Sequence, residues 1–182
     1  MNVTPDLDAR FRDAALREGI VDVRFDEVDS PIGSLFVAAT DRGLCRISFW
    51  PEGMEDVLAR TYGVRVLRSP LDAVRRELDE YFAGSRRTFD LPLDLRVAPF
   101  HADVLRELAL VPYGRTETYG ALAAKVGRPR AARAVGTVMN RNPIPIVLPC
   151  HRIVGANGSL TGYAGGLDVK RRLLQLEGAT LV

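Results

Sequence analysis

The periodicity of apolar residues changes at Arg96-Val97-Ala98-Pro99, and this change limits the possible folds more than composition does. Before it, apolar residues alternate in short runs parted by turns. Val21-Asp22-Val23-Arg24-Phe25 has period two, as a half-buried strand does. Asp29-Ser30-Pro31-Ile32-Gly33 is a turn, and Leu35–Ala39 is a second strand. Thr40-Asp41-Arg42-Gly43 turns the chain into a third, Leu44–Phe49. Two short connections in succession predict an antiparallel meander. A helix is expected over Pro51–Tyr62, and Val64-Arg65-Val66-Leu67 is a candidate fourth strand. From Pro70 a helix sets Leu71, Val74, Leu78, Tyr81 and Phe82 on one stripe and ends at Gly84. Phe89–Leu95 reads as extended, with Pro92 keeping it to a sheet edge. This half shows no cluster of chemistry-bearing side chains, so its expected role is support. Residues 1–20 are charged and weakly patterned, either a short helix over Asp8–Glu18 or a loose arm.

After the switch the chain is helical. Phe100–Leu110 turns Val104, Leu108 and then Val111 inward, and Pro112-Tyr113-Gly114 stops it. Thr118 suits the N-cap of a helix over Tyr119–Val126. Gly127 makes a turn, and Pro129 suits the first turn of a second helix from Arg130 to Asn140. Helix, glycine turn and helix in so short a span form a helix-turn-helix pattern. The expected class is therefore α+β: an arm over 1–20, a support domain over 21–96 built on an antiparallel sheet with packed helices, and a mostly helical domain over 97–182. At 182 residues the chain can bury such a core without disulfide staples.

Charge is distributed unevenly. The formal net charge is only +2. Yet between Ala121 and Asn142 stand Lys125, Arg128, Arg130, Arg133 and Arg141, with no acid. The second helix is otherwise small, with Ala131, Ala132, Ala134 and Gly136. Small side chains let a helix backbone approach a groove, and arginines neutralise phosphates, so this pair points to nucleic acid. A solvated basic face backed by an alanine-rich packing side would read the same way.

Chemistry concentrates in Ile144-Pro145-Ile146-Val147-Leu148-Pro149-Cys150-His151-Arg152-Ile153-Val154. The run reads as a buried strand that breaks at Pro149 and delivers a thiol, an imidazole and a guanidinium together. A thiol needs a base to form thiolate, and His151 is beside it. A buried structural Cys next to a satisfied His has the same local sequence. Neighbouring side chains on an extended strand face opposite ways, so His151 reaches Cys150 only through a turn or a water. Asn140 and Asn142 precede the run, and an Asn side chain there can fix a turn. Farther on, Gly162-Tyr163-Ala164-Gly165-Gly166 is a glycine-rich loop whose exposed amides could bind a flat ligand. Asp168 is the expected cap of a last helix, Val169–Glu177. Glu177 lies by the buried stripe of Val169, Leu173 and Leu176, at the helix end where the macrodipole disfavours an anion. A carboxylate so misplaced has a partner, and the available one is His151.

The chain has two cysteines, Cys45 and Cys150, too few for a disulfide framework or a zinc ligand set. Cys45 falls inside the third strand and reads as a core residue. No run reaches transmembrane length and the N-terminus is polar, so a cytoplasmic protein is expected.

Pro149-Cys150-His151-Arg152-Ile153-Val154 resembles the signature of the O6-alkylguanine-DNA alkyltransferases, or methylated-DNA–protein-cysteine methyltransferases. Val111–Gly114, Thr118-Tyr119-Gly120, Ala131–Gly136, Asn142-Pro143 and Thr161-Gly162-Tyr163 with Gly165-Gly166 accompany it in the family's order. Ser30–Gly33 and Tyr81–Gly84 are similar to the family's N-terminal domain. The resemblance implies a ribonuclease-H-like first domain, a winged-helix-like second one, and direct-reversal DNA repair without metal or organic cofactor. It implies that Cys150 accepts the alkyl group from O6-alkylguanine, and from O4-alkylthymine, in one irreversible step. His151 would take the thiol proton through water, Glu177 would orient His151, and Asn142 would hold the turn beneath. The basic helix would enter the minor groove through Ala131, Ala132, Arg128 and Arg130. Arg133 would fill the gap left by the flipped base, and Tyr119 would crowd its phosphate. Tyr163, Pro145, Met139 and Ile153 would wall the base and alkyl pocket, and the Ala164 amide would reach O6. The implied partner is duplex DNA carrying the lesion, with no membrane; a monomer is expected, with cooperativity on DNA left open. The sequence departs from the family's usual residues at His101, Leu105 and Arg115, on or beside the Phe100–Leu110 helix. Two other readings of the same residues stand beside this one: a lesion-recognition protein with an inert thiol, and a Cys-His hydrolase acting by acyl transfer.

Overall fold

The structure, a computed structural model, describes residues 5–179. Helix α1 (Pro5–Arg17) precedes a four-stranded sheet. Strands β1 (Val23–Val28), β2 (Leu35–Thr40) and β3 (Gly43–Ser48) form the expected antiparallel meander. After α2 (Met54–Thr61), strand β4 (Val66–Arg68) pairs with β1 in parallel, so the sheet is mixed, in order β3-β2-β1-β4. The meander leaves β1 with a free edge, and the α2 crossover brings β4 to it in the same direction as β1. Helix α3 (Asp72–Phe82) follows. The stretch 89–95 forms no strand; it bridges β3 through Leu93 and Leu44.

Alternation on the central strand sorts the core into two layers. Leu35, Val37 and Ala39 of β2 face a cluster with Leu71, which precedes α3, and Val74, Leu78 and Tyr81 of α3. Phe36 and Ala38 face the opposite cluster with Phe25, Cys45 and Leu58 of α2. Cys45 is fully buried there, and its thiol donates to the Ala38 carbonyl at 3.3 Å.

The larger cluster continues without a break into the helical half. It takes in Val104, Leu105 and Leu108 of α4 (Pro99–Ala109), Leu122 of α5 (Tyr119–Lys125) and Val135 and Val138 of α6 (Ala132–Asn140). Leu105 is buried as an ordinary core residue, so its departure from the family pattern is accommodated. Thr118 caps α5 as expected, its hydroxyl accepting from the Ala121 amide at 3.1 Å. Helix α6 starts two residues later than expected. Pro129 and Arg130 instead form a turn closed by the Ala131 amide on the Arg128 carbonyl at 2.8 Å, a turn position that the fixed φ of proline suits. Two-residue strands β5 (Glu117–Thr118) and β6 (Ile153–Val154) pair in parallel beside the helices. Helix α7 (Leu167–Leu176) ends the fold. Gly166 holds its N-cap position, and Asp168 sits in the first turn paired with Arg171, so the expected Asp168 cap is not formed. Among the described residues, no helix is long and apolar enough to cross a membrane.

Candidate active site

The run before the thiol is a turn and not the expected strand. Pro143, Pro145 and Pro149 remove three ladder donors in seven residues, and proline tolerates only sheet edges. The Asn142 side chain replaces the ladder. Its carbonyl oxygen accepts from the Ile144 amide at 3.0 Å and its amide donates to the Leu148 carbonyl at 2.8 Å. The Leu148 amide closes the turn on the Ile144 carbonyl at 2.9 Å. Inside it Ile146 is held at φ 77°, a left-handed conformation that costs a β-branched residue about 1–3 kcal/mol. A backbone bond from the Ile47 amide of β3 to the Pro143 carbonyl, at 2.9 Å, braces the turn from the sheet. Asn142 thus clamps a strained turn whose far end is Pro149.

Cys150, His151 and Arg152 form one turn of 3-10 helix after Pro149, closed by the Arg152 amide on the Pro149 carbonyl at 2.9 Å. This turn, in place of an extended strand, carries the thiol and the imidazole on one short bend. Cys150 is 4% exposed. Burial, its chief influence, pushes the thiol up to about 11, against the pull of an Asn142 hydrogen bond and the Lys170 charge. The thiol is therefore protonated near neutral pH, and a nucleophile made from it needs a base.

A buried imidazole stands next to the thiol in the chain. His151 Nε2 lies 2.8 Å from Glu177 Oε1, and both side chains are fully covered. Burial alone pushes the Glu177 carboxyl upward, but hydrogen bonds and charge from His151 and Arg152 outweigh it and hold it at about 2. An ionised carboxylate only accepts, so Nε2 carries the proton and Nδ1 presents a lone pair. Nδ1 is buried and has no hydrogen-bond partner in the protein. Burial lowers the His151 pKa in spite of Glu177, so the ring is neutral near pH 7 and free to take a proton.

Glu177 has more partners than its sequence position announced. Arg152 grips it bidentately, Nε to Oε2 and Nη2 to Oε1, both at 2.9 Å. Arg152 also donates to the Val111 carbonyl at 2.6 Å. The Gly114 amide donates to Oε2 at 3.2 Å. From the supporting half, the Tyr81 hydroxyl of α3 donates to Oε1 at 2.7 Å. The supporting half thus places one hydroxyl of its own on the Glu177 network. Tyr81 stood on the apolar stripe of α3, where periodicity assigns it to packing, and no local signal names a partner 96 residues away. Lys170 was missed as well. It is fully buried, donates to the Ile153 carbonyl at 2.5 Å and the Thr161 carbonyl at 2.9 Å, and is lowered to about 8 by burial. Its place beside the stripe of Leu173 and Leu174, where a lysine is out of character, was the available sign.

The other expected site residues fall into two groups. On the outer face, Tyr119, Ala132, Arg133, Gly136 and Asn140 line a groove with Thr161 and Gly162 of the glycine-rich loop. Thr161 donates to the Tyr119 hydroxyl at 2.9 Å, tying that loop to α5. Ala131 and Ala132 are half-buried, while Arg128, Arg130, Arg133 and Arg141 are exposed. The Arg128 guanidinium stacks 5.0 Å from the Phe100 ring centre, and Lys125 pairs with Glu117, just outside the acid-free stretch. Lys125 is thus offset by an acid, while Arg128, Arg130, Arg133 and Arg141 keep their charge at the surface. On the inner side, the Tyr163 ring stands 6.5 Å from the His151 ring at 87°, and its buried hydroxyl has no partner in the protein. Pro145 and Met139 are buried, Met139 in the same core cluster as Cys150, and Ala164 is exposed on the loop. Ile153 is fully buried in the same core cluster as Cys150 and Met139, and its carbonyl accepts from Lys170.

Among the described residues, no group of three or more His, Cys, Asp or Glu side chains could hold a metal ion. A broad cleft of about 530 Å³ between α1 and the sheet, lined in part by Asp22, Arg24, Tyr62 and Arg96, holds neither thiol nor imidazole.

Comparison with known proteins agrees with this geometry. Residues 23–95 match the ribonuclease-like domain of 6-O-methylguanine DNA methyltransferases, and residues 99–179 match their DNA-binding domain. The methylated-DNA–protein-cysteine methyltransferase of Methanosarcina acetivorans is 44% identical over 151 residues, 83% of this chain and 96% of that protein. That of Mycolicibacterium paratuberculosis is 46% identical over 155 residues, 85% of this chain and 92% of that protein. A crystal structure of the Mycobacterium tuberculosis O6-methylguanine methyltransferase superposes with a TM-score of 0.77 at 40% identity, over 86% of this chain and 93% of that one. The same organism's protein in complex with DNA superposes with a TM-score of 0.76 at 39% identity, over 85% of this chain and 92% of that one. A buried thiol on a proline-led turn, backed by a histidine–glutamate pair and faced by a basic helix-turn-helix, belongs to a chain that is a member of the methylated-DNA–protein-cysteine methyltransferase family.

Proposed function

We propose that the protein repairs O6-alkylguanine, and O4-alkylthymine, in duplex DNA by moving the alkyl group irreversibly to Cys150. The observation that carries this reading is the buried series Cys150, His151 and Glu177, in which the thiol is protonated, the imidazole neutral and the carboxylate ionised at rest. His151 Nδ1 takes the thiol proton through water as Sγ attacks the alkyl carbon. The new S–C bond forms as the C–O6 bond breaks, the electron pair leaves with guanine O6, and the proton that His151 took from the thiol passes through water to the departing base, which leaves as ordinary guanine. Glu177 supports the imidazolium formed in between, as a buried carboxylate does in a catalytic triad. A thioether on Cys150 leaves no group to regenerate the thiol, so each molecule acts once. Titrating a lesion-bearing duplex with protein tests this directly. Repaired lesions are expected to plateau at one per chain, whereas continued repair beyond one per chain would favour a hydrolytic turnover.

The domain division at residues 96–97 serves this chemistry, with the basic helices presenting DNA and the sheet half bracing the thiol's turn. Helix α6 lies in the minor groove with Arg133 on it and Arg130 on the turn before it, both exposed, and its small residues toward the DNA backbone. Unstacking the lesion costs a few kcal/mol, less for a base that pairs badly. Arg133, on the groove beside Tyr119, offsets that cost by filling the space in the stack. The pocket for the flipped base is walled by Tyr163, Pro145 and Met139, with the Ala164 amide at O6. Arg133→Ala is expected to slow repair of duplex O6-methylguanine at least tenfold, about 1.4 kcal/mol in barrier, and to leave reaction with the free modified base within about twofold. Equal losses on both substrates would remove Arg133 from the flipping role.

A further inference from the structure

The Gly162–Gly166 loop has no regular secondary structure, yet the sheet half grips it. Strand β3 ends at Ser48, whose hydroxyl donates to the Trp50 carbonyl at 2.7 Å and accepts from the Trp50 amide at 3.1 Å. That turn sets Phe49 and Trp50 side by side against the loop. The Phe49 ring packs on the Tyr163 ring, centres 5.5 Å apart. Trp50, the chain's single tryptophan, donates its indole N–H to the Ala164 carbonyl at 3.2 Å while 64% of the residue stays exposed. Gly165 has no positive φ to explain it. A Cβ there would instead stand 3.0 Å from three atoms of the Phe49 ring, closer than ordinary contact, so the ring accounts for the glycine. Three consecutive loop residues are thus engaged by two consecutive residues from the end of β3, and the first of these contacts continues through Tyr163 toward His151.

We propose that Phe49 and Trp50 are positioning residues that hold the Tyr163 wall in place and so set the size of alkyl group the thiol accepts. This rests on the reading of Tyr163 as a wall of the base and alkyl pocket. A loop of this composition samples many conformations, and ordering it as the substrate arrives would subtract from the alignment needed for transfer. The clamp orders it beforehand. A fixed wall favours a small methyl group held in line with Sγ. A loosened wall loses that alignment, which matters most for the smallest group, and gives a bulky group room.

The test compares single-turnover transfer from duplexes carrying O6-methylguanine or O6-benzylguanine, with duplex affinity measured alongside. Trp50→Phe removes the indole N–H along with part of a ring that is mostly exposed, and Phe49→Leu replaces the ring with a smaller aliphatic side chain. Each is expected to slow methyl transfer about fivefold or more, lower the methyl-to-benzyl rate ratio by a similar factor, and leave duplex affinity within about twofold. Gly165→Ala is expected to slow methyl transfer in the same way, and Gly165→Ala combined with Phe49→Leu to be slowed by less than the product of the two single effects, because both act on one contact. Equal slowing of both substrates would mean a merely structural role, and unchanged rates would remove the clamp altogether. Tyr163→Ala separates the two levels. If it leaves both rates unchanged, the pocket reading fails and the clamp with it; if it slows transfer while the Phe49 and Trp50 variants match the parent, only the clamp fails.

Discussion

Glu177→Gln is expected to destabilise the protein by about 3–5 kcal/mol, the usual cost of removing one partner from a buried ion pair. Against a typical total of about 5–15 kcal/mol this is a large share. The variant keeps the shape of the side chain but leaves the buried Arg152 without its counter-charge and His151 without its anion. The same network makes stability depend on acid. The Glu177 carboxyl is held at about 2 against an ordinary value of 4.5. Its contribution is therefore fully present above the ordinary value and is lost as pH falls through about 2. At about 1.4 kcal/mol per pKa unit this contribution is on the order of 3 kcal/mol. Denaturant unfolding at about pH 7 and about pH 3 should show the parent losing stability in the acid and the variant, already lowered, losing less. Equal stability of the two proteins at neutral pH would contradict the account of the network.

The same substitution should slow transfer. With Gln in place, the imidazolium that forms as the thiol gives up its proton has no anion beside it in a buried site. Supporting that charge is the role the carboxylate plays in a triad, where its loss costs orders of magnitude in rate. A glutamine has a single side-chain oxygen, so it can still accept from Tyr81 at the Oε1 position or from the Gly114 amide at the Oε2 position, but not from both.

Cys150→Ala has the largest expected effect on activity: no detectable transfer, with binding to lesion-bearing duplex within about twofold of the parent. The substitution removes one sulfur from a covered site and leaves the Asn142 turn, the Glu177 network and the groove beside α6 untouched. A small-side-chain change of this kind in a core costs about 1–2 kcal/mol, too little to unfold an ordinary domain. Gel shifts on lesion and plain duplexes, with loss of O6-methylguanine measured on the same samples, separate binding from chemistry. Residual transfer would point to another acceptor, and Cys45 is a poor one. It is fully buried in the opposite core layer, and burial chiefly pushes its thiol up to about 12.

Much of the site was legible because its signals are local. Thr118 reads as a cap because a hydroxyl before a helix has one common use. Glu177 reads as partnered because a carboxylate at the buried end of a helix is misplaced twice over. Asn142 reads as a turn-former because its side chain bonds backbone two residues on. What could not be read is set by contacts between distant residues. Ile144–Leu148 has the composition of a strand, and three prolines together with the Asn142 clamp turn it into a strained loop. Tyr81 and Glu177 meet across 96 residues, and Trp50 and Ala164 across 114. Neither periodicity nor spacing carries such pairings. The parallel placement of β4 beside β1 belongs to the same class, since a three-residue strand states no direction. Treating the first half as mere support followed from reading Tyr81, Phe49 and Trp50 one element at a time.

The most direct test of the central claim is the intact and peptide mass of the protein after mixing with excess O6-methylguanine duplex. The account predicts one added methyl per chain, carried on the peptide that holds Cys150, together with loss of an equal amount of lesion. A repaired lesion with no change in protein mass, or a methyl on any other peptide, would contradict it.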